Sequence, residues 1–165
     1  TINTIFFKVY YIFFVIKHST REIIQIGCTA HPNKNWIKQQ LLNITSKLSE
    51  TIILIRDNDG KFKSIDFEKL RIIEIKIPYQ SPNYNAIAER FVKSLKFECL
   101  NYFIILNKTH LEKVLIEYTK YYNEYRPHQG IKNIIPLEKQ YNGCGKINQK
   151  KILNGLHNHY YKEAA

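Results

Sequence analysis

The order of hydrophobic and polar residues over the first 30 positions predicts a β-hairpin. Residues from about Phe6 to Ile16 are mostly aromatic or β-branched, and Glu22–Cys28 has a similar composition. The polar stretch His18–Arg21 separates them. Aromatic and β-branched residues favour strands, and a short polar connection between two such runs favours an antiparallel turn. We therefore expect the chain to begin with two antiparallel strands.

Helical and strand-like patterns alternate after this hairpin. Between residues 33 and 48 apolar side chains recur near helical spacing, which predicts a helix with Asn33 or Asn35 as its N-cap. The next predicted elements are a strand over Thr51–Ile55, a short helix over Ser64–Leu70 and a strand over Arg71–Ile77. Pro78 ends the last of these strands, because proline cannot continue a hydrogen-bonded ladder.

Two amphipathic patterns in the second half of the chain predict longer helices. The first helix extends from Asn83 to about Leu100, with Glu89 and Lys93 on a polar face away from its apolar stripe. The second extends from Thr109 to Asn123 and begins with Thr109-x-x-Glu112, which has the pattern of a capping box.

These elements together predict one α/β domain: a mixed sheet that contains an antiparallel hairpin and is flanked by helices. We assign residues 1–142 to this domain and residues 143–165 to a loop-rich C-terminal tail. With 165 residues and 44% hydrophobic content, the chain can bury a substantial core. The apolar run Ile5–Ile16 contains Lys8 and is too short to cross a bilayer, so no membrane span is expected.

The charge of the chain predicts a polyanionic partner. Lys and Arg number 25 against 14 Asp and Glu, which gives a net charge of +11, and the excess is present on both sides of Pro82. Neutralising phosphates with such a surface releases counterions, so nucleic acid is the favoured partner. An anionic membrane surface is less favoured, because no basic amphipathic helix is evident.

The cysteines and histidines do not predict a disulfide framework or a zinc site. Cys28, Cys99 and Cys144 are far apart and odd in number, which favours a reduced, intracellular setting. The histidines lack ligand-like spacing with a cysteine or an acid. The chain contains no Met and starts on Thr1 inside a strand-like segment, so we expect it to be a fragment without its N-terminal part.

Two carboxylates are placed where they could act together. Asp57 and Asp59 follow a predicted buried strand, and Glu89 lies in the first turns of a helix. Ligands of α/β sheets gather near strand carboxyl ends, and paired carboxylates suit Mg²⁺ and phosphoryl-transfer chemistry. Two other interpretations stay open: Arg56–Gly60 is also typical of a turn, and Glu89 also suits a surface ion pair with Lys93.

Several short motifs occur along this sequence in the order in which a known family carries them. They are Phe13–Ile16, Gly27–Pro32, Trp36–Gln40, Ile55–Phe62, Asn85–Val92, Glu98–Leu100, Tyr122–Gly130 and Gly155–Tyr160. Over nearly the whole chain this series resembles the catalytic core of the integrase-like DDE transposases of bacterial insertion sequences, which are relatives of retroviral integrases. The resemblance implies a ribonuclease H-like fold.

The resemblance also implies a catalytic site. Asp57 matches the second acid of the family, because Phe62 follows it at the family's spacing, and Glu89 matches the third acid. The interval between the two acids is a few residues shorter than is usual. The first acid would fall upstream of Thr1, so the implied core is N-terminally truncated and inactive as it stands. The family's chemistry is DNA cleavage and strand transfer at transposon ends with Mg²⁺ or Mn²⁺, here held by Asp57 and Glu89.

Three basic residues are candidates for contacts with nucleic acid. Lys93 and Lys96 share the helix face of Glu89, and Arg126 follows the last predicted helix. The alternatives are that the lysines are simply solvated and that Arg126 locks a helix end. The implied partners are DNA of the transposon ends and of the target, and further copies of the chain, in the bacterial cytoplasm at the nucleoid. A non-catalytic DNA-binding remnant and a ribonuclease H-type nuclease are the competing hypotheses.

Overall fold

The computed structural model describes residues 1–48, 50–62, 65–77, 85–137 and 145–163. Four predicted features involve residues outside these ranges: the end of a strand at Pro78, the start of one helix at Asn83, the start of a short helix at Ser64, and the domain boundary between residues 142 and 143. The described elements are three α-helices, seven β-strands and several short 3₁₀ turns. They form an α/β arrangement, as the sequence predicts.

The predicted N-terminal hairpin is confirmed. Strands β2 (Val9–Ile16) and β3 (Ile23–Thr29) pair antiparallel, and the short strand β1 (Ile2–Asn3) pairs with the outer edge of β2. Strand β2 starts at Val9 and not at Phe6. Phe7 has a φ of 58° and its N–H donates to the carbonyl of Thr4 at 2.9 Å, so Phe6 and Phe7 form an exposed turn despite their strand-like composition.

The second layer contains helix α1 and a parallel pair of strands. Helix α1 (Lys34–Thr45) begins at Asn33, whose side chain accepts from the N–H of Trp36 and thereby satisfies one of the free donors of the first turn. Strands β4 (Ile52–Arg56) and β5 (Ile72–Lys76) are parallel and in register from Ile52 opposite Ile72 onwards. The inner faces of α1, β4 and β5 bury a common apolar cluster.

Helices α2 and α3 pack against the N-terminal sheet. Helix α2 comprises Ala86–Glu98 and helix α3 comprises Lys108–Glu124. Phe91 of α2 is fully buried, and its ring centroid lies 4.6 Å from that of Phe14 on β2. The side chain of Asn123 accepts from the N–H of Ile23 and donates to its carbonyl, so α3 satisfies both backbone groups of the first residue of β3. This pairing fixes α3 against the edge of the sheet.

The capping box predicted at Thr109 is wrong. Asn107 is the N-cap of α3, and its side chain accepts from the N–H of His110 at 2.9 Å. Both residue types are good caps, so the local sequence favours neither strongly. The extended backbone of Asn107 places its carboxamide at the helix start, and the helix is therefore longer than predicted.

The predicted loop-rich character of the tail is also wrong. Strands β6 (Ile147–Ile152) and β7 (His157–Lys162) form an antiparallel hairpin. His157 stacks on Tyr121 of α3 with centroids 4.1 Å apart, and Lys150 donates to the hydroxyl of Tyr125. The polar strands carry little hydrophobic pattern, so the hairpin depends on contacts with α3 that the local sequence does not show.

Candidate active site

Asp57 lies immediately after β4, at the carboxyl end of the parallel pair. Strand β4 ends at Arg56, and the Asp57 side chain is exposed. The ends of parallel strands at this edge of a sheet are where α/β proteins gather their ligands. A hydrogen bond fixes the backbone at Asp57, because Nη1 of Arg56 donates to the carbonyl oxygen of Asp57 at 2.7 Å.

Arg56 is the residue that positions this turn, and the residue pattern does not predict this role. Its side chain is only 7% exposed, and its Nε and Nη2 donate to Glu74 on β5 at 3.0 and 2.6 Å. The guanidinium also lies over the rings of Phe62 and Phe67, 4.8 and 5.5 Å from their centroids. An arginine held by a carboxylate and two aromatic rings is rigid, so the carbonyl that it binds at Asp57 is fixed as well.

Asp59 has a separate, structural use. Its carboxylate accepts from both the N–H and the Nζ of Lys61, each at 2.9 Å. These two hydrogen bonds from Lys61 lower the pKa of Asp59 below 3.8. The turn interpretation therefore applies to Asp59. The carboxylate of Asp57 accepts only a long 3.4 Å bond from the Asp59 N–H among the described contacts, which leaves most of its oxygen lone pairs available.

Asp57 and Glu89 line the same cavity. Glu89 lies in the first turn of α2 and is exposed. The cavity has a volume of about 490 Å³ and is lined by Phe14, Asp57, Asn85, Ala88, Glu89, Val92 and Lys93. The structure thus brings the end of β4 and the start of α2 together across the aromatic side chain of β2. Two residues 32 positions apart in sequence, 57 and 89, present carboxylates to one space.

The two predicted lysines differ in their position. Lys93 lines the cavity one helical turn after Glu89, and the two side chains form no ion pair with each other. The surface ion pair that the sequence allowed for Glu89 is therefore not formed. Lys96 is exposed one turn further along α2 and does not line the cavity. Of the two lysines, only Lys93 lines the cavity with the two carboxylates.

Arg126 forms an ion pair within the protein. Its Nε and Nη2 donate to the two carboxylate oxygens of Glu98 at 2.7 and 2.6 Å, and the Tyr118 hydroxyl donates to the same carboxylate at 3.2 Å. Burial acts to raise the pKa of Glu98, but the hydrogen bonds and charge of Arg126 outweigh it and bring the pKa below 4.5. These contacts join the ends of α2 and α3. A contact of Arg126 with nucleic acid stays a prediction.

The residues at the cavity fit a hard divalent cation. Carboxylate and amide oxygens are the ligands that Mg²⁺ accepts, and the cavity presents Asp57, Glu89 and Asn85. Within the described ranges, no group of three or more His, Cys, Asp or Glu side chains is close enough to hold a metal ion. Mg²⁺ commonly keeps several waters and takes only one or two protein carboxylates, so a donor set of this size is compatible with it.

Across the parts of the chain that the structure describes, no helix has the length and apolar content needed to cross a membrane.

Part of the chain matches a known protein family, and the fold matches a solved structure. Residues 72–136 match the family described as Integrase core domain, a segment that contains Glu89, Lys93 and Arg126. The match spans 65 of the 165 residues of the chain. A search of curated proteins found no match.

The structure is similar to one chain of the simian T-cell lymphotropic virus intasome in complex with the PP2A regulatory subunit B56 gamma. The TM-score is 0.59 at 14% sequence identity, with 93% of this chain and 61% of that chain covered. This chain thus spans about three fifths of the length of its structural neighbour. The similarity confirms the predicted fold class, a ribonuclease H-like α/β fold.

Proposed function

We propose that this chain is the catalytic core of a DNA transposase of a bacterial insertion sequence. It acts on phosphodiester bonds at the ends of the element and joins them to target DNA. The observation that carries the proposal is the convergence of Asp57 and Glu89 on one cavity beside Lys93. The match to the Integrase core domain and the net charge of +11 both support DNA as the substrate.

In this proposal Asp57 and Glu89 hold Mg²⁺ or Mn²⁺. When bound, such an ion stabilises the charge on the attacking and leaving oxygens of an in-line displacement. Arg56 holds the backbone at Asp57, and Glu89 lies on the backbone of helix α2, so the chain positions of the two carboxylates are set before substrate arrives. The resemblance implies a third carboxylate at this site, and we propose the reaction for a protein that carries all three.

The proposed contacts with DNA begin at Lys93. An ammonium one helical turn from Glu89 would attract a phosphate that approaches the cation proposed for the two carboxylates. Lys96 extends this basic face by a further turn of α2. Arg126 contributes indirectly, since its pairing with Glu98 fixes the end of the same helix. We further propose that the intact protein works as a homo-oligomer in the cytoplasm, at the nucleoid, where it pairs two element ends.

A second candidate function is a DNA-binding remnant without catalysis. The specific observation in its favour is that the described part of the cavity presents two carboxylates and not three. A ribonuclease H-type nuclease uses a similar site and differs in lacking strand transfer. The three hypotheses therefore make different predictions for the products formed from labelled DNA.

The test uses the chain as given and the same chain extended upstream in its reading frame. Each is incubated with Mg²⁺, labelled terminal DNA and a target plasmid, and both cleaved and joined products are measured. We expect joining by the extended protein, and a loss of about 100-fold or more in its Asp57→Asn and Glu89→Gln variants, since metal ligands support several kcal/mol of transition-state stabilisation. Asp59→Asn is the matched control and should change the rate by less than about threefold.

Each possible outcome separates the hypotheses. Cleavage without joining in the extended protein supports the nuclease. Binding of DNA without either reaction supports the non-catalytic remnant. Joining that persists undiminished in Glu89→Gln contradicts the proposed site.

A further inference from the structure

A second cavity, separate from the first, is lined by three arginines. It has a volume of about 550 Å³ and lies between the start of α2, the end of α3 and the turn that joins β2 to β3. Arg21, Arg90 and Arg126 all line it. None of the described residues lining it carries a carboxylate. A concave site with several guanidinium groups and no acid on its walls has the chemistry of an anion site.

The three arginines are not equivalent. Arg126 is neutralised by its two hydrogen bonds to Glu98. Arg21 lies in the β2–β3 turn, where its φ is 65°, and its guanidinium donates to the carbonyl of His18. Its Nε lies close to Gly130, at 4.0 Å from the position that a β-carbon on this glycine would take. Arg90 is exposed on α2 and has no ion pair with any residue that the structure describes. Two positive charges thus remain available at the cavity.

His128, at the back of this cavity, is held neutral. Its Nε2 donates to the carbonyl of Tyr122 at 3.0 Å, and its Nδ1 therefore accepts from Nη1 of Arg126 at 3.2 Å. Burial lowers the pKa of His128, and the charges of Arg126 and Arg21 lower it further. The imidazole adds no charge, and the electrostatic character of the cavity comes from Arg21 and Arg90. A site of this charge suits one phosphodiester group.

The two cavities lie on adjoining faces of α2. Asn85, Glu89 and Lys93 line the first, and Ala86, Arg90 and Ser94 line the second. Lys93 and Arg90 are three residues apart, a spacing that puts their β-carbons about 5–6 Å apart on a helix surface. Basic side chains therefore continue from the carboxylate cavity around α2 to the arginine cavity. A strand whose phosphates carry one charge each can follow this path.

We propose that the cavity of Arg21 and Arg90 binds a backbone phosphate of a nucleic-acid strand that passes from the Asp57–Glu89 cavity around helix α2. The inference rests on the proposed function and adds a second point of substrate contact to it. The bound phosphate neighbours the one at the reacting bond and fixes the direction in which the strand leaves the site. Its recognition is independent of base sequence, because only the phosphodiester is contacted.

The test measures binding of a fluorescent 20-base-pair DNA by anisotropy as salt is varied. We expect Arg90→Gln to weaken binding about tenfold or more at low salt, since hydrogen bonds to a charged group are lost. It should also reduce the slope of log affinity against log salt by about 0.9, the value for one phosphate. Arg21→Gln should do the same, and the double variant should lose no further slope if both residues hold one phosphate. Lys38→Gln, an exposed lysine of α1, removes the same charge elsewhere and should change neither quantity detectably.

The outcomes distinguish this inference from the proposed function. If the unmodified chain binds DNA and Arg90→Gln binds equally well, the arginine site is overturned while the proposed function stands. If the unmodified chain does not bind DNA, the proposed function fails and the inference fails with it. A third experiment titrates the chain with inorganic phosphate. If Arg90→Gln abolishes phosphate binding but leaves DNA affinity unchanged, the cavity is a site for small anions and the proposal is overturned. Arg90 is exposed, so its variant is expected to fold even if Arg21→Gln does not.

Discussion

Replacing Arg126 by Met tests whether this residue stabilises the fold or contacts DNA. The substitution keeps an unbranched apolar side chain and removes the guanidinium that pairs with Glu98. Losing one partner of a fully buried ion pair costs about 3–5 kcal/mol. The two side chains here retain 17% and 28% exposure, so we expect a smaller loss of roughly 2–3 kcal/mol in the free energy of unfolding. For a chain of this size that corresponds to a fall in Tm of roughly 5–10 °C.

The assay is urea denaturation of a double-mutant cycle with Glu98→Gln. Removing the unpaired charge should recover part of the loss, with a coupling energy of about 1–2 kcal/mol between the two positions. The pH dependence has a defined sign. Because the pKa of Glu98 is held below 4.5, its pairing contributes fully above that pH and is lost as the pH falls through the lower native pKa. The difference between the parent and Arg126→Met should shrink accordingly in acid.

A different pattern would refute the structural role of Arg126. If the variant loses less than about 0.5 kcal/mol of stability and shows no coupling to Glu98, the pair contributes only what a surface ion pair does. If its DNA affinity falls tenfold at the same time, Arg126 is a nucleic-acid contact and not a link between helices.

Two other predictions concern the core. Asn123→Ala should lower the free energy of unfolding by about 2–4 kcal/mol, since it leaves a buried N–H and a buried carbonyl of β3 without partners. Asn43→Ala, which removes a surface hydrogen bond on α1, should lower it by less than about 1 kcal/mol. Chemical denaturation measures both values, and equal losses would contradict the pairing of Asn123 with β3. Burial raises the pKa of Cys28 to about 11 and that of Cys99 to about 12, so neither thiol should react with iodoacetamide at pH 8 in the native protein. Mass spectrometry should show at most one native adduct, at Cys144, and three in urea; rapid native labelling of Cys99 would contradict its burial.

Most of the regular elements could be predicted because their signals are local. The aromatic and β-branched runs of the hairpin, and the apolar stripe with Phe91 on α2, each bury one face against a neighbour, and that requirement is visible in the residue pattern. The starts of elements were harder to place. Phe6 and Phe7 look like strand residues, but the turn at Phe7 exposes them, and Asn107 and Thr109 are nearly equal as helix caps.

The features that were missed depend on contacts between distant residues. The hairpin of β6 and β7 is stabilised by rings of α3, such as Tyr121 against His157, and its own polar residues carry no strand-like pattern. The role of Arg56 depends on Glu74, 18 residues later. The local sequence indicates this role of Arg56 only by its position at the end of a strand, directly before an acidic residue.

The candidate site was only partly predictable from residue patterns. Those patterns placed Asp57 and Asp59 at the end of a strand and Glu89 on a helix, and the resemblance selected Asp57 over Asp59. In the structure Asp59 is bound to Lys61, while Asp57 lines a cavity with Glu89, and the choice of Asp57 stays a prediction. The arginine cavity could not be foreseen, because Arg21 and Arg90 come from elements that meet only in the folded chain.

Manganese titration followed by NMR tests most directly whether Asp57 and Glu89 form one metal site. Paramagnetic Mn²⁺ broadens amide signals close to where it binds, in the chain as it stands and without any need for catalysis. We predict that signals around Asp57 and around Glu89 broaden together at the same Mn²⁺ concentration. Asp57→Asn and Glu89→Gln should each abolish the broadening at both places, and Asp59→Asn should leave it intact. Broadening near Asp57 that survives Glu89→Gln, or that disappears in Asp59→Asn, would contradict the account.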